Sequence, residues 1–280
     1  MILIADSGST KCTWAYCDDN GELKLVFNTV GFNPKYSNYS DIINELQKSQ
    51  ISNLHKKITK IFFYGAGCSS LAKNKIIYDP LKYFFSQADI HIRHDLEAAV
   101  KATYKDTPII SCILGTGSNS CFFDGENIIE NAPSLGYILG DEASGNYFGK
   151  KLINLYVNNL LTDTLLKKFE TWTKERKEDI IKKIYSVQRP NLYLATFFKF
   201  MYENKDDPTF DSIFKEGIQK FFDLHIKCFN DYQKHSLTFV GSVAYYLSEY
   251  IKDIAKKEKI YIQDIIKSPI KNLVKEHFSK

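Results

Sequence analysis

Asp6-Ser-Gly-Ser-Thr-Lys11 and Leu114-Gly-Thr-Gly-Ser-Asn119 are the two stretches on which the fold turns. Each ends a short apolar run, 2–5 in one case and 109–114 in the other, and each leads straight into a second run, 12–16 or 118–123. Strand, glycine turn, strand is the signature of a β-hairpin. Working outward from the first hairpin, 23–27 reads as a third strand and 40–50 as a helix. A strand over 58–64 follows, stopping at Gly65-Ala-Gly67, then a helix over 70–87, a strand over 90–93 and a helix over 95–104. The order β-β-β-α-β-α-β-α implies a mixed sheet with helices around it. After the polar break Lys105-Asp-Thr-Pro108 the second hairpin restarts the same grammar, with a third strand over 126–130. The repeat is one of element order, since no extended identity links the halves. From 144 to 236 the chain is Lys-rich and helical in period, interrupted at Gln188-Arg-Pro-Asn191. A last strand over 237–240 meets Gly241-Ser242, and helical segments are expected from there to Lys280.

The bulk properties suit an α/β protein of two lobes, 1–107 and 108–280, the second enlarged by helices and the last helix free to pack back on the first lobe. The 280 residues are 44% hydrophobic and 25% charged, with 37 basic and 33 acidic side chains interspersed for a net +4. So small and scattered an excess gives no footprint for nucleic acid or an anionic membrane surface. The start of the chain lacks the pattern of a secretory signal, and no run approaches the roughly 18 apolar residues that span a bilayer, so a cytoplasmic protein is expected. Six cysteines, Cys12, Cys17, Cys68, Cys112, Cys121 and Cys228, form no CxxC pair and no Cys/His cluster. They read as reduced, small core hydrophobes.

A nucleotide polyphosphate needs backbone amides and hydroxyls brought close, and small residues permit that approach. Gly8, Ser9, Thr10 and Lys11 in one hairpin and Thr116 and Gly117 in the other supply such groups. Either hairpin alone is as well explained by ordinary turn chemistry, but the pair, at the starts of two matching modules, favours a phosphate clamp. Asp6, ending a buried strand, would hold magnesium, through water. The loop at Gly241 and Ser242 joins a strand to a helix and could bring backbone beside an adenine or ribose. Neither GxxxxGK[ST] nor GxGxxG occurs, which removes P-loop and dinucleotide-binding readings. Asp95 opens a helix, where it can act as a general base on a hydroxyl attacking a γ-phosphate. It can equally cap that helix, and the two roles are compatible. Asp141, in Gly136-Tyr-Ile-Leu-Gly140-Asp141, borders a glycine loop and is suited either to capping or to accepting hydrogen bonds from sugar hydroxyls.

These motifs, with His94-Asp95-Leu-Glu-Ala-Ala99, Phe239-Val-Gly-Ser-Val243 and Ser268-Pro-Ile-Lys-Asn-Leu273, occur in the order of a known family. The chain resembles N-acetylglucosamine kinase-like proteins of the group that also contains the BadF/BadG/BcrA/BcrD-type ATPases. The resemblance implies the actin, hexokinase and Hsp70-like fold: two ribonuclease-H-like lobes with an active-site cleft that takes ATP, magnesium and a sugar. It makes Asp95 the catalytic base, Thr10 and Thr116 phosphate-loop residues, and Gly241 and Ser242 the adenosine-side loop. Asn33, Gly117, Ser134, Leu135, Gly136 and Asp141 become sugar-contacting positions. A homodimer is allowed, with the Lys-rich helical part of the second lobe as its surface.

The expected reaction is therefore phosphorylation of an N-acetylated amino sugar, foremost N-acetylglucosamine at its 6-hydroxyl. N-acetylmuramate or glucosamine would use the same apparatus with altered pocket walls. Pro133-Ser-Leu-Gly136 and the proline after Asn33 depart from the animal kinases at places that shape the sugar pocket. A reading from another class, an ATP-driven activator with an iron–sulfur cluster, requires cysteines presented at a dimer interface, and only Cys68 sits at a suitable tip.

Overall fold

A computed structural model describes residues 1–279. The apolar run after Met1 forms β1 (Ile2–Ser7), which turns into β2 (Lys11–Cys17) and then β3 (Leu23–Val30). Helix α1 (Tyr39–Lys48) begins where the Asn38 side chain accepts from the Asp41 N–H, and it buries Ile42, Ile43 and Leu46 along one stripe. β4 (Lys60–Gly65), α2 (Leu71–Phe84), β5 (Asp89–His94) and α3 (Asp95–Thr103) complete the run. The strands lie in the order β3-β2-β1-β4-β5, the first three antiparallel and β1, β4 and β5 parallel. Asp6 stands in register with Thr13 on β2 and Tyr64 on β4.

β6 (Ile109–Leu114), β7 (Ser118–Phe123) and β8 (Ile128–Ile129) repeat the meander. Next come α4 (Gly136–Leu139), α5 (Gly145–Val157), α6 (Asp163–Thr173), α7 (Lys177–Ser186), α8 (Pro190–Thr196), α9 (Phe198–Glu203) and α10 (Pro208–Phe221). The helical stretch is thus several short helices. At the expected interruption Pro190 takes the first position of α8, where its missing N–H costs nothing. β9 (Ser236–Val240), α11 (Ser242–Tyr246), α12 (Ser248–Glu258) and β10 (Ile262–Ile266) follow. The second sheet runs β10-β9-β6-β7-β8, with β6, β9 and β10 parallel. Strand for strand this is the order of the first sheet, so the α/β arrangement is duplicated as the sequence led one to expect.

β10 corrects the expectation of helical segments alone from Gly241-Ser242 to Lys280. It is an edge strand, paired only with β9 through a bulge between Ile262 and Asp264, and none of its five residues is fully buried. Such a strand carries neither a period-2 pattern nor a continuous apolar run. The strand expected over 126–130 is shorter, Ile128–Ile129 alone.

The chain divides into two compact units, Met1–Thr107 with the segment from Ser268 on, and Pro108–Lys267. Helix α13 (Ile270–Phe278) therefore belongs with the first unit, against β1, β2 and α3. In that unit Trp14 meets Phe27, Phe32 and Phe63 at ring separations of 5.9–6.1 Å, and its Nε1–H donates to Thr29 Oγ1 at 2.9 Å. In the second, Phe148, Phe169, Phe200, Phe210, Phe214 and Phe221 are fully buried among the helices. Each such ring contributes on the order of 2 kcal/mol, and they share one core with Ile110, Leu114, Leu237 and Phe239 of the second sheet. No helix among the described residues is long and apolar enough to cross a membrane.

Candidate active site

In the first unit the site is built at the end of β1. The hairpin after Ser7 is closed by Gly8 N–H donating to Lys11 O at 3.0 Å. The chain leaving β3 braces it from behind: Gly31 N–H donates to Thr10 O at 3.1 Å, and Asn33 Nδ2 to Ser9 Oγ at 3.2 Å. Gly31 is there because nothing larger fits, since a Cβ would lie 2.1 Å from Gly8 O. Asn33, expected to touch sugar, is buried, and its Oδ1 accepts from Lys35 N–H at 2.9 Å. The structure thus gives Asn33 a part in holding the hairpin.

Asp95 is the first residue of α3, and the cap is His94, whose Nδ1 faces Leu96 N–H at 3.4 Å and Asp95 Oδ1 at 3.2 Å. Asp95 is therefore spared capping duty, and its carboxylate remains about one-fifth exposed. Burial pushes the Asp6 carboxyl up to about 7; the Asp95 charge adds to this and Lys11 opposes it. Two carboxylates and one ammonium are thus brought to one place. Among the described residues no group of three or more His, Cys, Asp or Glu forms a metal site. A cation here would have to share its shell with phosphate oxygens and water, which suits magnesium.

In the second unit the matching hairpin is closed by Gly115 N–H to Gly117 O at 2.9 Å. Its brace comes from α5. Gly145 N–H donates to Gly115 O at 2.8 Å, and Asn146 donates to Thr116 O through its backbone at 3.1 Å and its Nδ2 at 2.6 Å. Asp141 closes the other side, accepting from Asn146 Nδ2 at 2.7 Å and Ser118 N–H at 3.3 Å. Burial holds its carboxyl above the usual range, and those two donors pull the other way. A Cβ on Gly117 would meet this carboxylate at 3.0 Å. Asp141 does not cap α5; Ser144 does, accepting from Tyr147 N–H at 3.2 Å.

Gly241 ends β9 with φ +126°, and a Cβ there would lie 2.2 Å from Leu114 O. It lets the β9–α11 turn press against the start of the hairpin, so Gly241 and Ser242 stand beside Gly115 at the carboxyl ends of parallel strands, where ligands of such sheets bind. Ser134, Leu135 and Gly136 enter α4, which exposes Leu135, Ile138 and Leu139. α4 is tied to α5 by Lys150 Nζ donating to Tyr137 O. Burial lowers the Lys150 pKa, against the pull of Asp141 and Glu142.

Gly31, Asn146, Lys150, Glu142 and His225 escaped the sequence reading. For Gly31 the signal was a glycine two residues before Asn33, and for Glu142, Asn146 and Lys150 it was nearness to Asp141; only His225, 83 positions from Glu142, left none. The six cysteines are free, and five are buried. Cys68, the tip on which the iron–sulfur reading rested, is buried, and burial with the nearby Asp95 charge pushes its thiol up to about 12. It is neither presented nor a ready thiolate.

This geometry has relatives among solved structures. A Porphyromonas gingivalis protein provisionally assigned as an N-acetylglucosamine kinase superposes with a TM-score of 0.92 at 33% identity, over 100% of this chain and 99% of that one. A Chromobacterium violaceum protein with the same provisional assignment matches with TM-score 0.72 at 14% identity, over 98% of each chain. A ROK-family glucokinase from Streptomyces griseus, solved with glucose and AMPPNP, matches with TM-score 0.54 at 14% identity, over 98% of this chain and 97% of that one. The last two show the shared fold. No protein-family model and no curated protein matches the chain.

Proposed function

This chain belongs to the sugar kinases of the actin-like fold, in one family with the Porphyromonas gingivalis protein, and from that premise we propose that it transfers the γ-phosphoryl group of ATP to the 6-hydroxyl of N-acetylglucosamine. The observation that carries the reading is the acid pair Asp6 and Asp95 beside Lys11, at the end of the braced hairpin. Asp95, free of capping, takes the proton of the sugar hydroxyl as its oxygen bonds to the γ-phosphorus and the bond to the ADP oxygen breaks. Asp6, unwilling to ionise where it lies, is the carboxylate that would hold magnesium, whose charge offsets that of the phosphates.

Within the first unit Asp95, Asp6 and the donors of Gly8, Ser9, Thr10 and Lys11, with Asn33 behind them, are the groups suited to phosphoryl transfer. Within the second, Thr116 would take phosphate, Gly241 and Ser242 the adenosine, and Gly117, Asp141 and the stretch Ser134, Leu135, Gly136 the sugar. The exposed apolar side of α4 would meet the N-acetyl methyl group.

The test is ADP release with ATP and magnesium against N-acetylglucosamine, N-acetylmuramate, N-acetylmannosamine, glucosamine and glucose. Release is expected with N-acetylglucosamine above the rest. Preference for another sugar overturns the substrate and keeps the kinase; sugar-independent release, or none, overturns both.

A further inference from the structure

The residue after Asp141 has a partner that the reaction as described does not use. Glu142 lies between two non-glycine residues in the left-handed region, Asp141 (φ 57°) and Ala143 (φ 58°). Such backbone is strained and persists where its surroundings hold it. The Glu142 carboxylate, only 6% exposed, takes His225 Nε2 at 3.2 Å on one oxygen, and Lys220 Nζ lies 3.7 Å from the other. Lys220 is half exposed and this contact is long, so the buried imidazole is the stronger restraint.

His225 is itself placed with unusual means. α10 runs into a π-helical turn, Phe222–Ile226, in which Lys227 N–H reaches Phe222 O at 3.0 Å. The added residue in this turn directs His225 inward. Its ring stacks on Phe221 at 4.8 Å, and its carbonyl accepts from Ser120 Oγ, on β7, at 2.7 Å. Nδ1 is buried with no hydrogen-bond partner among the described residues. What the ring does supply is one N–H to Glu142.

We propose that His225 is a positioning residue: through Glu142 it holds the turn Asp141–Glu142–Ala143, and so keeps Asp141 on Ser118 and the start of α5 on the Gly115–Gly117 hairpin. Its own hydrogen bonds therefore reach both ends of that hairpin, by way of Glu142 on one side and Ser120 on the other. The inference rests on the kinase reading for its kinetic consequence and on geometry alone for its structural one.

His225→Phe keeps the stacked ring and the main-chain bond to Ser120 but removes the N–H, while His225→Gln returns an N–H near the same place. Hydrogen exchange at Gly145 and Asn146, the amides that bond Gly115 and Thr116, is expected to quicken about tenfold in His225→Phe and to recover in His225→Gln. Sugar KM should rise about tenfold in His225→Phe, with a lower kcat, as expected of a small misplacement of binding groups. Met201→Ala, a cavity in the helical core away from the site, controls for lost stability and should move neither readout. Unchanged exchange in His225→Phe, or a Met201→Ala protein that behaves the same way, overturns the proposal. Absence of sugar-dependent turnover in the wild type defeats the kinase reading, while the exchange measurement still decides the role of His225.

Discussion

The two glycine hairpins share a backbone and differ in almost everything around it. Both are backed by a glycine from the end of another strand of the same sheet, Gly31 after β3 and Gly241 after β9, each with its would-be Cβ about 2 Å from a hairpin carbonyl. Inside the hairpins Gly115 has open space and Gly8 an ordinary contact at 3.7 Å, whereas a Cβ on Gly117 would meet Asp141 at 3.0 Å. The surrounding groups diverge. The first hairpin is held by backbone and by Asn33, leaving Asp6 and Asp95 to bear charge against each other. The second is held by Asp141, whose carboxylate is occupied by Asn146 and Ser118. Repetition has kept the scaffold, and in the proposed reaction the acid–base work falls to one copy only.

The sharpest way to break that contrast is to neutralise the two acids separately. Asp95→Asn should lower kcat about 10³-fold while sugar and ATP still bind in calorimetry, because the amide cannot take the proton. Asp141→Asn should instead raise sugar KM about tenfold with kcat within an order of magnitude. Equal loss of kcat in both would erase the division of labour.

The shared scaffold predicts a second, smaller pair of effects. Gly31→Ala and Gly241→Ala should each cost about 2 kcal/mol or more in urea unfolding, since backbone cannot move aside as a side chain can. Gly115→Ala should stay within about 0.5 kcal/mol. If Gly115→Ala is the costly one, the support has been assigned to the wrong glycines.

Smallest is the titration of Asp6. Its carboxyl sits at about 7 in the fold, against 3.8 in an exposed chain, so the folded protein binds the extra proton between those values. Stability should therefore fall as pH rises from about 4 to about 7 and level off above. Asp6→Asn should flatten the profile. Magnesium at pH 8 should raise the Tm of the wild type more than that of Asp6→Asn; equal rises would remove Asp6 as the metal carboxylate.

Much of the scaffold was legible in the sequence because hairpins are local. β6 and β7 fall where their apolar runs and glycine turn put them, and Asp95 opens α3 as its motif required. Local reading failed where the deciding contact is distant. β10 lacks a pattern of its own because an edge strand borrows its hydrogen bonds from β9. Asp95 looked like a cap because Asp caps well, yet His94 does that work. Asn33 and Asp141 were expected to touch sugar from their motifs, but their bonds to Ser9 and Asn146 are set by tertiary packing. Glu142 and His225 meet across 83 positions, and nothing near either one announces the other.

The placement of α13 bears on how the protein is made. Its Leu273 and Val274 are buried, Asn272 Nδ2 donates to Ala102 O at 2.8 Å, and His277 stacks on Phe62 at 4.0 Å while bonding the Tyr64 hydroxyl at 2.9 Å. During synthesis the first unit thus waits, with part of its apolar surface uncovered, until the whole second unit has left the ribosome. A nascent chain halted near residue 267 would have all five strands of the first sheet but not the helix that packs on β1 and β2, and would offer chaperones that uncovered surface.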